Sequence, residues 1–235
     1  TIGAIVEVNA ETDFVAKNEE FRAFVNTVAH TIIDENPADV NVLMTKKASG
    51  SDMTIEELLR EKIQVIGENM KIRRFARYQG HVITYIHADG RMAVAVNFDT
   101  SDAISEKPEF ITYAKDVAMQ IVAMVPEYVC DADVPAERIE HEKRILTEQI
   151  INDGKPANIA EKIVAGRMKK FFKGICLVDQ EYVKNGDITV GQYTEQVAKE
   201  LGGEIKIKAF TRYEKGEGLE KKEDNFADEV ASMMK

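Results

Sequence analysis

The chain has 235 residues, 44% of them apolar, and a formal net charge of −10. That length and apolar share suit one large globular domain or two small ones, each with a real core. The acidity argues against a surface that grips phosphate backbones, where affinity comes from Lys and Arg. No apolar run approaches the roughly 20 residues of a membrane-spanning helix.

Ile5-Val6-Glu7-Val8 alternates with the period of a strand. Phe21, Phe24, Val25, Val28, Ala29 and Ile32 follow the period of a helix. Asn18 is a good N-cap for that helix, and Glu19 and Glu20 suit the positive end of its dipole. Glu11-Thr12-Asp13-Phe14-Val15-Ala16-Lys17 then forms the connection from strand to helix, with a large aromatic in a polar loop. Asn36-Pro37 ends the helix, and 45–52 is a polar loop. Thr54 caps a second helix, with Glu57 completing a capping box. That helix carries Ile55, Leu58, Leu59, Ile63 and Ile66; Gly67 closes it, and 70–78 returns as a strand.

After Gly80 the pattern starts again. Val6-Glu7-Val8-Asn9 matches Val94-Ala95-Val96-Asn97 at an offset of 88, and Phe21, Val28 and Ala29 match Phe110, Val117 and Ala118 at 89. Thr54-Ile55, Gly67 and the strand from Ile72 to Tyr78 match Thr189-Val190, Gly202 and the run from Ile207 to Tyr213 at 135. The offsets 89 and 135 differ by 46 residues, the size of an insertion in the second unit. The expected fold class is therefore α+β. Two related α+β lobes arise from an internal duplication, the second is interrupted by an antiparallel helical hairpin, and a short C-terminal helix follows. The lobes are 1–80 and 81–125 with 177–214; the hairpin is 126–176, of coiled-coil or dimerisation type; the C-terminal helical module is 215–235.

Within the hairpin, Ile139, Leu146, Ile150 and Ile151 stripe the first helix, and Ile159, Ile163, Val164, Met168, Phe171 and Phe172 the second. Asn152-Asp153-Gly154-Lys155-Pro156 makes the turn. Each helix of about 18 residues is about 27 Å long. Two helices alone have a thin core, so the hairpin is expected to project as a strut or to pack on another chain. Cys130 and Cys176 fall at similar distances from the turn and are expected as neighbours at its base, as free thiols of a reducing compartment. Lys215-Gly216-Glu217-Gly218 reads as a flexible joint before a tail with Phe226, Val230 and Met233 at helical spacing. A helix that short must dock, on its own protein or on a partner.

Catalytic frameworks are missing from the sequence. It has no phosphate loop and no G-x-G-x-x-G. His30, His81, His87 and His141 lack zinc-ligand spacing with the cysteines. His87 and Asp89 sit near a turn without a nucleophile. No catalytic residue, metal or cofactor is expected, and the residues look arranged for contact. Phe14 either folds onto its own core or meets a partner. The second lobe reads Asp99-Thr100-Ser101-Asp102-Ala103-Ile104-Ser105 at that turn, without an aromatic, which favours the partner.

The run from Val6 to Asn18 closely resembles the signature of the elongation factor Ts family, the nucleotide-exchange factors for elongation factor Tu. Ile66-Gly67-Glu68-Asn69, Ile72-Arg73-Arg74, Ile159-Ala160-Glu161-Lys162, Gly166-Arg167-Met168-Lys169-Lys170 and Thr189-Val190-Gly191 extend the likeness in order along nearly the whole chain. The resemblance implies a cytoplasmic translation factor that is not an enzyme of bond-making chemistry. It promotes release of GDP by disturbing the Mg²⁺ and phosphate site of elongation factor Tu. It implies partner contact by Thr12, Asp13, Phe14, Val15 and Ala16, with Phe14 as a wedge and Asp13 hydrogen-bonding. Secondary contact falls to Lys17, Asn18, Phe226 and Val230. A homodimer through the 126–176 hairpin is a further expectation; direct nucleic-acid and membrane contacts are not expected. Family members usually begin with a small helical domain, which nothing before Thr1 supplies here. Two other readings stay open: an oligomerising scaffold that uses the hairpin without exchange activity, and an enzyme with a metabolite pocket between the lobes.

Overall fold

The computed structural model describes residues 2–154 and 157–219, with no side-chain description for 157–160. In strand β1 (Ile2–Ala10), Ala4, Val6 and Val8 face helices, while Ile5 and Glu7 are buried on the opposite face. Then follow α1 (Asp13–Lys17), α2 (Glu19–Glu35), α3 (Val40–Met44), α4 (Ile55–Ile66) and β2 (Met70–Gln79). The second unit comprises β3 (His81–His87), β4 (Met92–Asp99), α5 (Asp102–Ser105) and α6 (Pro108–Met124). After the hairpin of α7 (Ala136–Asn152) and α8 (Ala157–Ile175) it resumes with β5 (Glu181–Tyr182), β6 (Asn185–Thr189), α9 (Val190–Leu201) and β7 (Lys206–Glu214).

β1 pairs antiparallel with β2, and a three-stranded antiparallel sheet runs β3-β4-β7. The sheets lie face to face. A Cβ on Gly3 would stand 2.5 Å from Val82 Cγ1, and Tyr78 Oη and Thr211 Oγ1 meet at 2.7 Å. Helices cover the outer faces. Phe21, Phe24, Val28 and Ile32 of α2 and Ile55 of α4 form one core over β1 and β2. Phe110, Tyr113, Val117 and Ile121 of α6 and Val190 of α9 form the other, over β4 and β7. The chain is thus α+β, in four layers of helix, sheet, sheet and helix.

The internal repeat is visible in detail. Thr54 and Thr189 both cap with full capping boxes, and Gly67 and Gly202 both close their helices at φ 82° and 77°. Asn36 and Val125 both end their helices at φ 45° and 46°, each before a proline. One correspondence is corrected. Pairing slips between Glu7 and Val8 leave Arg73 unpaired, and slips between Asn97 and Phe98 leave Lys208 unpaired. Arg73 and Lys208 are the 135-offset pair, so Val8, opposite Ile72, corresponds to Phe98, opposite Ile207. The strand offset is 90, where the sequence match had given 88. A shift of two keeps every side chain on its face, so alternation cannot detect it. β3, α3 and the β5–β6 hairpin were not read from the sequence.

The hairpin is antiparallel, with Leu146, Ile150 and Met168 buried in it. Its base is stitched by Ile175 O, which accepts from Glu127 N at 2.8 Å and Tyr128 N at 3.0 Å, and by Arg138, which grips Glu127 and lies over the Tyr128 ring. Cys130 and Cys176 are free thiols. Tyr128 bridges to Cys176, whose thiol is pushed up to about 12, chiefly by burial.

Candidate functional site

The connection from β1 to α2 is a one-turn helix, not the loop the sequence suggested. Thr12 caps it, its Oγ1 accepting from Val15 N at 3.5 Å. A helix of five residues cannot hold itself in water, so neighbours brace it. Thr12 donates from its backbone N to Glu68 Oε2 at 3.0 Å and from Oγ1 to Glu68 Oε1 at 2.6 Å. Glu68 follows Gly67, the C-cap of α4, so the end of one helix holds the start of another. At the far end Val15 O accepts from Asn18 N at 2.9 Å, and Ala16 O accepts from Arg22 Nε at 3.2 Å. Asn18 caps α2 through its side chain, accepting from Glu20 N at 2.7 Å and Phe21 N at 3.3 Å.

Within this braced turn the side chains divide sharply. Val15 is 6% exposed and packs into the core of its unit, whereas the neighbouring Phe14 ring is 80% exposed. Asp13 and Lys17 pair at 3.8 Å, both largely solvated. The duplicate unit supplies an internal comparison. Ser101 precedes α5, Ile104 is its buried anchor at 5% exposure, and Ala103 stands where Phe14 stands in α1. The turn folds around the aliphatic anchor, and the ring adds nothing to its own protein's core.

Of the residues singled out in the sequence, Thr12, Asp13, Phe14, Val15, Ala16, Lys17 and Asn18 come together here. Phe226 and Val230 lie outside the described residues. Glu68 had entered only as part of a longer match; its distance in sequence from Thr12 hid the brace. Beside α1 a cleft of about 430 Å³ opens between the two units, with Val8, Ala16, Val25, Ile86 and Tyr213 among its lining residues. Among the described residues no group of three or more His, Cys, Asp or Glu is placed to hold a metal.

In the wall of the cleft lies a charge cluster that sequence reading also missed. Glu7 is 7% exposed, yet its carboxylate receives Arg73 Nη1 at 2.9 Å, Arg74 Nε at 2.6 Å, Gly216 N at 3.2 Å and Asn9 Nδ2 at 3.2 Å. Burial alone raises a carboxyl's pKa; here these donors, led by Arg73 and Arg74, outweigh it and hold Glu7 below its usual 4.5. Residues 215–218, read as a flexible joint, are instead a hydrogen-bonded turn pinned by this cluster. A signal existed in the sequence: a lone Glu between two strand valines, and two adjacent arginines in a partner strand.

The model of the family described as elongation factor TS matches residues 11–217. The elongation factor Ts of Clostridium perfringens is 46% identical over 234 residues, which cover 98% of this chain and 76% of that protein. That of Clostridioides difficile is 44% identical over 237 residues, covering 100% and 77%. That of Trichlorobacter lovleyi is 47% identical over 236 residues, covering 98% and 76%. The likeness runs through both units and the hairpin that interrupts the second, at a level that leaves the family unambiguous: the chain belongs to the elongation factor Ts family of translation elongation factors.

Proposed function

We propose that this chain is a guanine-nucleotide exchange factor for elongation factor Tu, acting in the cytoplasm without making or breaking covalent bonds. The observation that carries the reading is the Phe14 ring, 80% exposed on a turn braced at both ends. Family membership supplies the partner. Thr12 and Val15 hold the turn, Phe14 enters the partner beside its Mg²⁺ and phosphate site, and Asp13 hydrogen-bonds at the entry. Ala16, Lys17 and Asn18 border the contact. Burying a phenylalanine contributes roughly 1.5–3 kcal/mol, and a central aromatic can be a hot spot of about 2 kcal/mol or more. Spent only on the partner's open state, that energy weakens GDP there, and GDP in turn weakens the factor by the same ratio. The factor therefore speeds release and does not choose between GDP and GTP.

The division into lobes 1–80 and 81–125 with 177–214, hairpin 126–176 and C-terminal module 215–235 belongs to this proposal. So does partner contact by Phe226 and Val230. Self-association through the hairpin is a second reading, supported by Ile151, 54% exposed close to the hairpin's turn.

The test is release of fluorescent GDP from elongation factor Tu. Phe14→Ala is expected to slow it roughly 10- to 100-fold, the equivalent of roughly 1.5–3 kcal/mol, while the melting temperature stays within about a degree. Unchanged release by a folded variant refutes the wedge.

A further inference from the structure

Three distant segments of the chain meet at Glu7, and the same arginines that reach its carboxylate reach onward. Arg73 Nη2 donates to Glu217 O at 2.5 Å. Arg74 Nη2 donates to Glu217 Oε2 at 3.2 Å and Glu214 O at 3.4 Å, and the Arg74 guanidinium lies 4.3 Å over the Tyr213 ring. Arg212 Nη1 reaches the other Glu217 oxygen at 3.3 Å. Three carboxylates, Glu7, Glu214 and Glu217, thus face Arg73, Arg74 and Arg212 across the seam between β2 and β7, with Arg91 on the outer side of Glu214.

The repeat shows that packing alone does not require this cluster. With the strand offset at 90, the second unit has Asn97 where the first has Glu7, and Lys208 and Ala209 where it has Arg73 and Arg74. Both units nevertheless form the same paired strands with the same slip. A buried ion cluster is also a poor source of net stability, since apolar groups of similar volume often serve as well. What it does provide is direction. Arg73 is the residue left over at the slip in β1–β2 pairing, and such irregularities re-aim a side chain. Here Arg73 carries both Glu7 and the backbone of Glu217.

We infer that Glu7 is a positioning residue: with Arg73 and Arg74 it forms a latch that fixes the turn at 215–217 against β1. The latch thereby sets the relation between the Phe14 turn and the turn at 215–217. The strand that bears Glu7 runs on into the Thr12 cap, and Glu7, Ala16 and Lys215 line one cleft. The inference rests on the exchange-factor reading only for its functional arm; its structural arm stands alone.

Two variants of the full chain test it. Glu7→Gln removes the charge at the centre of the latch. Glu217→Gln removes only its half-exposed outer pair, and so carries the test if the first variant fails to fold. Amide hydrogen exchange by mass spectrometry is expected to speed up at least tenfold over 215–219 in both, with rates in α2 and α6 unchanged. Unchanged protection over 215–219 in both variants overturns the latch. In the GDP-release assay Glu7→Gln is expected to slow exchange about 5-fold. Combined with Phe226→Ala it is expected to add nothing beyond that second substitution, because both act through the C-terminal segment. Multiplying losses mean that Glu7 acts through general structure and overturn its positioning role. If Phe226→Ala alone has no effect, the C-terminal contact is what fails, and the latch is decided by the hydrogen-exchange arm.

Discussion

At Phe14 the ring's exposure has meaning only because of its neighbours. Single exposed hydrophobic residues are common on protein surfaces, but this one sits on a five-residue helix tied down by a carboxylate from outside it. The Glu68 contacts keep the ring from swinging with a frayed turn. Glu68→Ala removes two hydrogen bonds to Thr12, at an exposed position where each is worth about 0.5–1.5 kcal/mol at most. It is expected to slow GDP release several-fold, less than Phe14→Ala, with little change in global stability by urea denaturation. A larger effect on stability than on exchange would mean that the brace serves folding. The Asn18 cap was legible in the sequence, because capping is a local rule; the Thr12 cap was not, because the single turn it opens is too short to show a helical period. The Glu68 brace was not, since it joins positions that only the tertiary fold brings together.

For the elements, the duplication makes each unit a control for the other. Caps, helix closures and core aromatics were readable from the repeat, because they depend on a few residues at fixed spacing. Strand register was not: a slip of two leaves the alternation of Val6, Glu7 and Val8 intact, and only the pairing with β2 and β7 fixes it. The comparison also exposes a strained position. Asn36 and Val125 occupy the same left-handed helix end, at φ 45° and 46°. Asparagine tolerates that conformation, whereas a β-branched side chain pays about 1–2 kcal/mol there. Val125 is also half-exposed, so little burial offsets the strain. Val125→Asn is expected to raise unfolding free energy by about 1 kcal/mol, read as a higher urea midpoint with an unchanged slope. No gain would show that Val125 makes compensating contacts at the hairpin base.

Across the whole molecule the face-to-face sheets leave little slack. Gly3→Ala places a Cβ against Val82, itself a stiff β-branched residue, and is expected to cost about 1–3 kcal/mol; a neutral result in thermal melting would mean that the sheets can part. The buried charge between them sets an acid limit. Glu7 has a lower pKa folded than unfolded, so its contribution is complete above the ordinary value of 4.5 and is lost as pH falls below it. The urea midpoint is expected to hold from pH 7 to about 5 and then to fall, with Glu7→Gln blunting that fall. The order of strands along the chain carries a further consequence. The first unit, β1 through β2, is contiguous, whereas β4 must wait for β7 while the hairpin and α9 are laid down between them. On a ribosome the first unit can close as soon as it emerges, and the second stays open until β7 has been translated. Gly216 and Glu217 come later still, so the handclasp with Glu7 can form only after the strands of both units have been made.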